Sequence, residues 1–315
     1  MNNLNNTDNS EQRTEKSPIG GFRGLPPLEP VPARPDQSGN LFREGRGADI
    51  LNIILAQKLL EVAERKLLKS ISDMEKEPLF SRKCISLKNN LKSSSSGIIS
   101  EFKRKSPSKG WIHPDADVIE ITRGYCDAGA AGISVLTDYE FFGGSPADLK
   151  TARSVVNCPI LRKDFIIDEY QLYEAKAVGA DVVLLIAAAL TPDKTKYLAR
   201  QAKDLGLEVL LEVHNREELD CANEFVDLLG VNNRNLKTFE VDINISKELA
   251  EFIPKEFIKI SESGISNPQT VSELKSFGYQ GFLMGENFMK EQNPADALKR
   301  FICPLTLPKQ VRNRL

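Results

Sequence analysis

The chain has 315 residues, 41% of them hydrophobic and 27% charged, the composition of an ordinary folded protein rather than a disordered or fibrous one. Forty-two Lys and Arg against 44 Asp and Glu leave a net charge of −2, so there is no basic excess for nucleic acid or for an anionic membrane surface. No run approaches the roughly 18 apolar residues a membrane helix needs, and the Asn-rich start lacks a signal-peptide core, so a cytoplasmic location is expected.

Residues 1–45 hold six of the 17 prolines and five of the 20 glycines with few large apolar residues, and are expected to be a disordered N-terminal arm or an extension. From Ala48 the pattern turns helical, with Leu51, Ile54, Leu55, Leu59, Val62 and Ala63 recurring on one face. A mixed connector follows from Lys69 to the serine run ending at Ser96.

Eight strand-like runs come next: Ile98 to Lys103, Gly132 to Leu136, Ile160 to Lys163, Asp181 to Ile186, Leu207 to Glu212, Asp227 to Asn232, Phe257 to Ser261 and Gln280 to Gly285. They start about 26 residues apart, which leaves room for one helix and two loops per repeat. Helix starts are signalled at Asp115, Ser145-Pro146, Thr191-Pro192, Asn215 and Asn267-Pro268, and helix ends at Gly129, Gly179, Gly206 and Gly278. The pattern predicts an α/β fold, a (β/α)8 TIM barrel over residues 46–302 with an extra helix before strand 1 and a tail from 303 to 315. A doubly wound sheet is the alternative, but it would put a glycine-rich turn after strand 1, where this chain has charges.

In such a barrel the chemistry sits at the C-terminal strand ends. There strand 1 carries Glu101 and Lys103, strand 3 Lys163, strand 5 Glu212, strand 6 Asn232 and strand 7 Glu262. The two-residue period puts Ile99, Glu101 and Lys103 on one face, Lys163 in phase with Leu161, and Glu212 in phase with Leu210. If those faces point inward, two ammonium groups and two carboxylates meet at one mouth. A rim of stabilising ion pairs would look similar residue by residue. Four such residues at strand ends favour acid/base chemistry, for which burial and neighbouring charge can move Lys and Glu toward neutrality. His214 shares the phase of Glu212, although a lone histidine is more often structural. Ser263-Gly264 after strand 7 and Gly285-Glu286 after strand 8 stand where this fold usually binds phosphate. The five scattered cysteines read as reduced packing residues, and with two histidines no metal site or cofactor is expected.

The stretch Ile99 to Gly110 (ISEFKRKSPSKG) resembles the strand 1 signature of the indole-3-glycerol phosphate synthase family of tryptophan biosynthesis. Matches continue in family order at Val135-Leu136-Thr137, Phe141 to Ser145, Leu161 to Phe165, Gly179-Ala180-Asp181, Leu184 to Ile186, Glu212-Val213-His214, Gly230 to Arg234 and Glu262 to Ile265, covering about Ala48 to Ile302. The resemblance implies a lyase that closes the indole ring of 1-(2-carboxyphenylamino)-1-deoxyribulose 5-phosphate, releasing carbon dioxide and water. It implies Lys163 as the general acid at the ketone, Lys103 as the carboxylate holder and a second acid, Glu212 as base or electrostatic stabiliser, and Glu101 tuning Lys103. Ser106, Asn232, Arg234, Glu262 and Ser263 are implied in substrate binding, and Ser263, Gly264, Gly285 and Glu286 in phosphate binding. The implied partner is a small phosphorylated substrate, with other tryptophan-pathway enzymes as candidate associates.

Two departures stand out: Asn235 where the family often has Asp, and Glu286 where some members have a serine whose hydroxyl can donate. Other readings are a phosphoribosylanthranilate isomerase-like enzyme, which would use a cysteine at strand 1 and an aspartate at strand 6, and a non-catalytic phosphometabolite-binding barrel. The sequence leaves open whether residues 104–111 form a lid.

Overall fold

The computed structural model describes residues 50–306. The arm expected over residues 1–45 lies outside them. Eight parallel strands close a barrel: β1 (Ile98–Phe102), β2 (Gly132–Leu136), β3 (Ile160–Lys163), β4 (Val182–Ile186), β5 (Glu208–Val213), β6 (Leu228–Asn232), β7 (Ile258–Glu262) and β8 (Tyr279–Met284). Each pairs with its neighbours in sequence and β8 pairs with β1, so the doubly wound alternative is excluded. Strands buried on both faces need apolar residues at nearly every position, which is why continuous runs rather than alternating ones marked them.

Along β1, β3, β4 and β5 the residues Ile99, Leu161, Leu184 and Leu210 fill the interior with Ile260 and Leu283, while Val135, Val183 and Leu211 pack outward against the helices. The register sets Leu136 beside Lys163, Glu212 beside Gly230 and Asn232 beside Glu262. Strand ends in register become side-chain neighbours at one rim.

The helices are α1 (Ile50–Leu68), α2 (Ile71–Glu75), α3 (Leu87–Ser93), α4 (Val118–Asp127), α5 (Pro146–Val155), α6 (Tyr170–Val178), α7 (Pro192–Asp204), α8 (Asn244–Leu249), α9 (Pro268–Ser276), α10 (Glu286–Met289) and α11 (Pro294–Thr306). Ser145, Thr191 and Asn267 cap their helices through the side chain with proline next, as the sequence signals. The start expected at Asp115 falls two residues later, with Asp117 as the cap.

Three details differ from, or add to, the pattern read from the sequence. The helix signalled at Asn215 is only a 3-10 turn, Glu217–Cys221, because Asn215 and Glu218 cap each other and Glu218 reaches back to His214. The connector holds α2 and α3, each started by a capping serine, Ser70 or Ser86. The last helix passes residue 302, running through Pro304 to Thr306, because Leu305 is still buried.

Two elements outside the repeat close the barrel ends. Leu87 and Leu91 of α3 plug the N-terminal end, where Gly132 and Gly281 leave room for them. At the opposite end Ile50, Leu51 and Ile54 of α1 reach the mouth. No described helix is long and apolar enough to cross a membrane.

Candidate active site

The C-terminal mouth encloses a cavity of about 380 Å³. Glu101, Lys103, Ser106, Lys163, Glu212, Asn232, Arg234, Glu262, Ser263, Gly264, Gly285 and Glu286 all line it, so every site residue singled out in the sequence comes to one place. A closed parallel barrel makes this inevitable once the strand phases are right, since all eight C-termini face the same way.

At the centre, Lys163 Nζ donates to Glu212 Oε2 at 2.6 Å and to Glu262 Oε2 at 3.0 Å. Glu212 Oε1 accepts Asn232 Nδ2 at 3.0 Å. Nearby, Lys103 Nζ pairs with Glu101 Oε1 at 2.6 Å. Burial opposes the charge on Lys163, but the Glu212, Glu262 and Glu101 carboxylates outweigh it and hold the ammonium well above the usual lysine range. Burial likewise opposes the charge on Glu212, and Lys163 with His214 overrides it, keeping that carboxylate well below the usual range. For Glu262 burial wins: helped by the Glu212 charge and only partly offset by Lys163, it raises the carboxyl to about 7. The sequence reading held that burial and neighbouring charge can draw Lys and Glu toward neutrality; Glu262 moves that way, while Lys163 and Glu212 move away from it.

Glu262 is thus a member of the Lys163 cluster, although the sequence placed it among substrate contacts. Two glycines make room for this cluster. A Cβ at Gly285 would stand 2.5 Å from Glu101 Oε1, and one at Gly230 would overlap Glu262 Oε1. The sequence offered Gly285 as a phosphate residue and Gly230 only as part of a motif.

Beyond β7 the chain turns sharply, with Ser263 at φ 66° and Gly264 at φ 78°. A left-handed serine costs about 1–3 kcal/mol, which the surrounding structure must outweigh. Glu286 turns its carboxylate toward Lys109, 3.8 Å away, leaving its backbone for the cavity rim. Asn235 uses its amide oxygen to accept the Lys237 and Thr238 N–H groups at 2.8 and 3.1 Å, so the turn after β6 is capped without an ion pair. Residues Lys105–Ser106 and Gly110–Trp111 pair as a short antiparallel hairpin over the mouth.

Sequence reasoning missed three groups. Ile50, Leu51 and Ile54 of α1 form, with Phe142, Phe165, Leu236 and Phe239, an apolar wall; the helical pattern took in Leu51 and Ile54 but gave no sign that this end of the helix reaches the cavity. Lys290 also lines the cavity. Lys58 lies behind it, wholly buried, 2.7 Å from Asp138 Oδ2 and 3.0 Å from Asp164 Oδ1, the residues just past β2 and β3. A lysine amid leucines gave no sign of this.

A family profile described as indole-3-glycerol phosphate synthase matches residues 51–301. The indole-3-glycerol phosphate synthase of Bacteroides thetaiotaomicron is 53% identical over 257 residues, covering 81% of this chain and 98% of that protein. That of Dechloromonas aromatica is 43% identical over 258 residues, covering 80% and 98%. Among solved structures, the tryptophan synthase alpha subunit of Legionella pneumophila superposes with a TM-score of 0.52 at 13% identity, covering 73% of this chain and 98% of that one. Thiamine phosphate pyrophosphorylase of Pyrococcus furiosus gives 0.52 at 17%, covering 70% and 100%. At such identities the structural likenesses speak for the barrel fold alone.

Proposed function

The chain belongs to the indole-3-glycerol phosphate synthase family, and from that premise we propose how its residues divide the work. The enzyme is a carboxy-lyase that closes the indole ring of 1-(2-carboxyphenylamino)-1-deoxyribulose 5-phosphate with loss of carbon dioxide and water. Ring closure needs an acid at the ketone oxygen as the carboxylate-bearing ring carbon attacks the carbonyl carbon. Lys163 is that acid: it is buried, charged and held in one place by two carboxylates. A positioned ammonium stabilises the charge that develops on oxygen without first having to reorient.

Attack leaves the ring cationic, and loss of carbon dioxide restores its electrons. The carboxylates of Glu212 and Glu262 face that cation, and Lys103 with Arg234 holds the departing carboxylate. Dehydration then removes the hydroxyl made in the first step. Glu212 is the base, since it is ionised at rest, and Lys103, poised by Glu101, is the acid for the leaving oxygen. Asn232 orients Glu212 and the sugar hydroxyls. Ser106 borders the carboxylate end. The backbone N–H groups of Ser263, Gly264, Gly285 and Glu286 take the phosphate, with the apolar wall around the aromatic ring.

The single observation that carries this reading is Lys163 bonded to both Glu212 and Glu262 at the floor of one cavity with Lys103 and Glu101. Catalysis is assigned to residues 46–302. A cytoplasmic location suits a small-molecule biosynthetic enzyme, and other tryptophan-pathway enzymes are the candidate associates. Indole fluorescence with the carboxyphenylamino substrate tests the assignment of roles. The parent protein is expected to turn over and Lys163→Ala to lose on the order of 10²–10⁴-fold in kcat. An inactive parent, or a variant of unchanged rate, would sink it.

A further inference from the structure

Behind Glu212 stands a second cation that the roles above leave unused. His214 Nε2 lies 3.3 Å from Glu212 Oε1, and His214 Nδ1 lies 3.1 Å from Glu218 Oε2. The same Glu218 oxygen accepts the His214 backbone N–H at 2.8 Å, and its other oxygen accepts Asn215 Nδ2 at 2.9 Å. Glu218 is therefore fixed, and the imidazole, 12% exposed, is clamped between two carboxylates. Among the described residues Nε2 makes no hydrogen bond, so its contact with Glu212 is a close ion pair. Burial alone would draw a proton off the ring, but Glu212 and Glu218 hold it on, raising the imidazole to about 10.

The charge balance at Glu212 rests on two cations, Lys163 and His214, against the neighbouring carboxylates Glu262 and Glu101. This balance has a consequence for the proposed acid step. When Lys163 gives its proton to the ketone oxygen, Glu212 loses its nearest cation while Glu262 and Glu101 remain close. An uncompensated buried carboxylate would then recapture a proton. We propose that His214, held charged by Glu218, is the positioning residue that keeps Glu212 a carboxylate while Lys163 is deprotonated, so that Glu212 enters the dehydration step as a base.

This rests on Lys163 and Glu212 acting as proposed above. The groups around the pair are Lys163 on β3, Asn232 on β6 with Arg234 beyond it, Glu262 on β7, and Glu101 with Lys103 on β1. The turn after β5 supplies Glu218, with Glu217 just before it and Asp220 after it, while Arg216 lies over the Phe252 ring. The chain from Val182 to Leu190, on the side of β4, has no titratable residue. His214 and Glu218 are thus the one addition to the charges already assigned.

The test measures kcat and KM from about pH 5 to about pH 10 for the full chain, His214→Gln and Glu218→Gln. His214→Gln is expected to lower kcat about tenfold or more with KM within about twofold, and to move the acidic limb of kcat up by about one pH unit, because Glu212 has lost a cation. Glu218→Gln is expected to move the alkaline limb down, because the imidazolium now dissociates sooner. Unmoved limbs in either variant overturn the proposal, even if kcat falls, since a merely structural histidine would lower activity without shifting them. If His214→Gln fails to fold, the alkaline limb of Glu218→Gln decides. Failure of the underlying reading looks different: the parent would be inactive or Lys163→Ala would remain active.

Discussion

Glu262 carries a charge that changes near neutral pH. Burial lifts its carboxyl first, Lys163 draws it down and Glu212 lifts it again, to about 7 from an ordinary 4.5. The native state therefore holds this proton more tightly than the unfolded chain. That stabilisation is complete below about pH 4.5 and is lost as pH rises through about 7. Glu262→Gln has no charge to bury, so its stability relative to the parent should improve between about pH 5 and about pH 8, by on the order of 1–3 kcal/mol. Melting temperatures at the two pH values check this, and an equal difference at both contradicts it. A neighbouring test concerns space rather than charge. Gly285 has an ordinary φ, yet a methyl group there would stand 2.5 Å from Glu101 Oε1. Gly285→Ala should push Glu101 off Lys103 and lower kcat/KM about tenfold or more with little change in melting temperature. Loss confined to KM would instead mark Gly285 as a phosphate residue only.

Helix α1 shows where periodicity stops being informative. Of the predicted face Leu51, Ile54 and Val62 are buried, with Ile50 and Lys58 beside them, whereas Leu55, Leu59 and Ala63 are not. Leu59 is 62% exposed and Leu67 is 88% exposed. A helix apolar on both sides gives pattern reasoning no way to choose a face, and the residue that fixes the helix in place is a lysine, the type most often assigned to solvent. Lys58 joins Glu61 on α1 to Asp138 and Asp164, and Asp164 in turn binds Thr137 and Arg162. Asp164 adjoins Lys163, so the helix roofing the cavity and the strand bearing the lysine share one ion network. Lys58→Met should cost about 3–5 kcal/mol, because it leaves buried Asp138 without a cation and Asp164 with Arg162 alone. It should also raise KM, since Ile50, Leu51 and Ile54 are brought to the cavity by the same helix. Denaturant titration and substrate saturation measure the two effects. A normal KM in a destabilised variant would separate the anchor from the site.

At the scale of the whole molecule the barrel has two polar ends with different tasks, and only one was legible in the sequence. The catalytic end could be read because strand phase, strand direction and barrel closure together force Glu101, Lys103, Lys163 and Glu212 to converge. The other end could not, because its contacts join segments far apart in sequence by hydrogen bonds that leave no periodic trace. Asp181, at the start of β4, is its centre. One oxygen accepts Arg82 Nη2 at 2.6 Å and the Ile85 N–H at 2.7 Å; the other accepts Arg153 Nη2 at 3.1 Å and the Ile160 N–H at 2.8 Å. This buried carboxylate ties the connector before α3, helix α5 and strands β3 and β4 together at the end remote from the cavity. Asp181→Ala would leave Arg82 and Arg153 with carbonyl partners but no carboxylate, and the Ile85 and Ile160 N–H groups unmatched, a loss of about 3–5 kcal/mol. None of its partners touches the cavity, so kcat measured at a temperature where the variant is folded should stay within about twofold of the parent. Lys163→Ala should do the reverse and abolish turnover far out of proportion to any change in stability. Thermal melts and initial rates on the two variants test the division directly, and a large kcat loss in folded Asp181→Ala would show that the two ends are mechanically coupled.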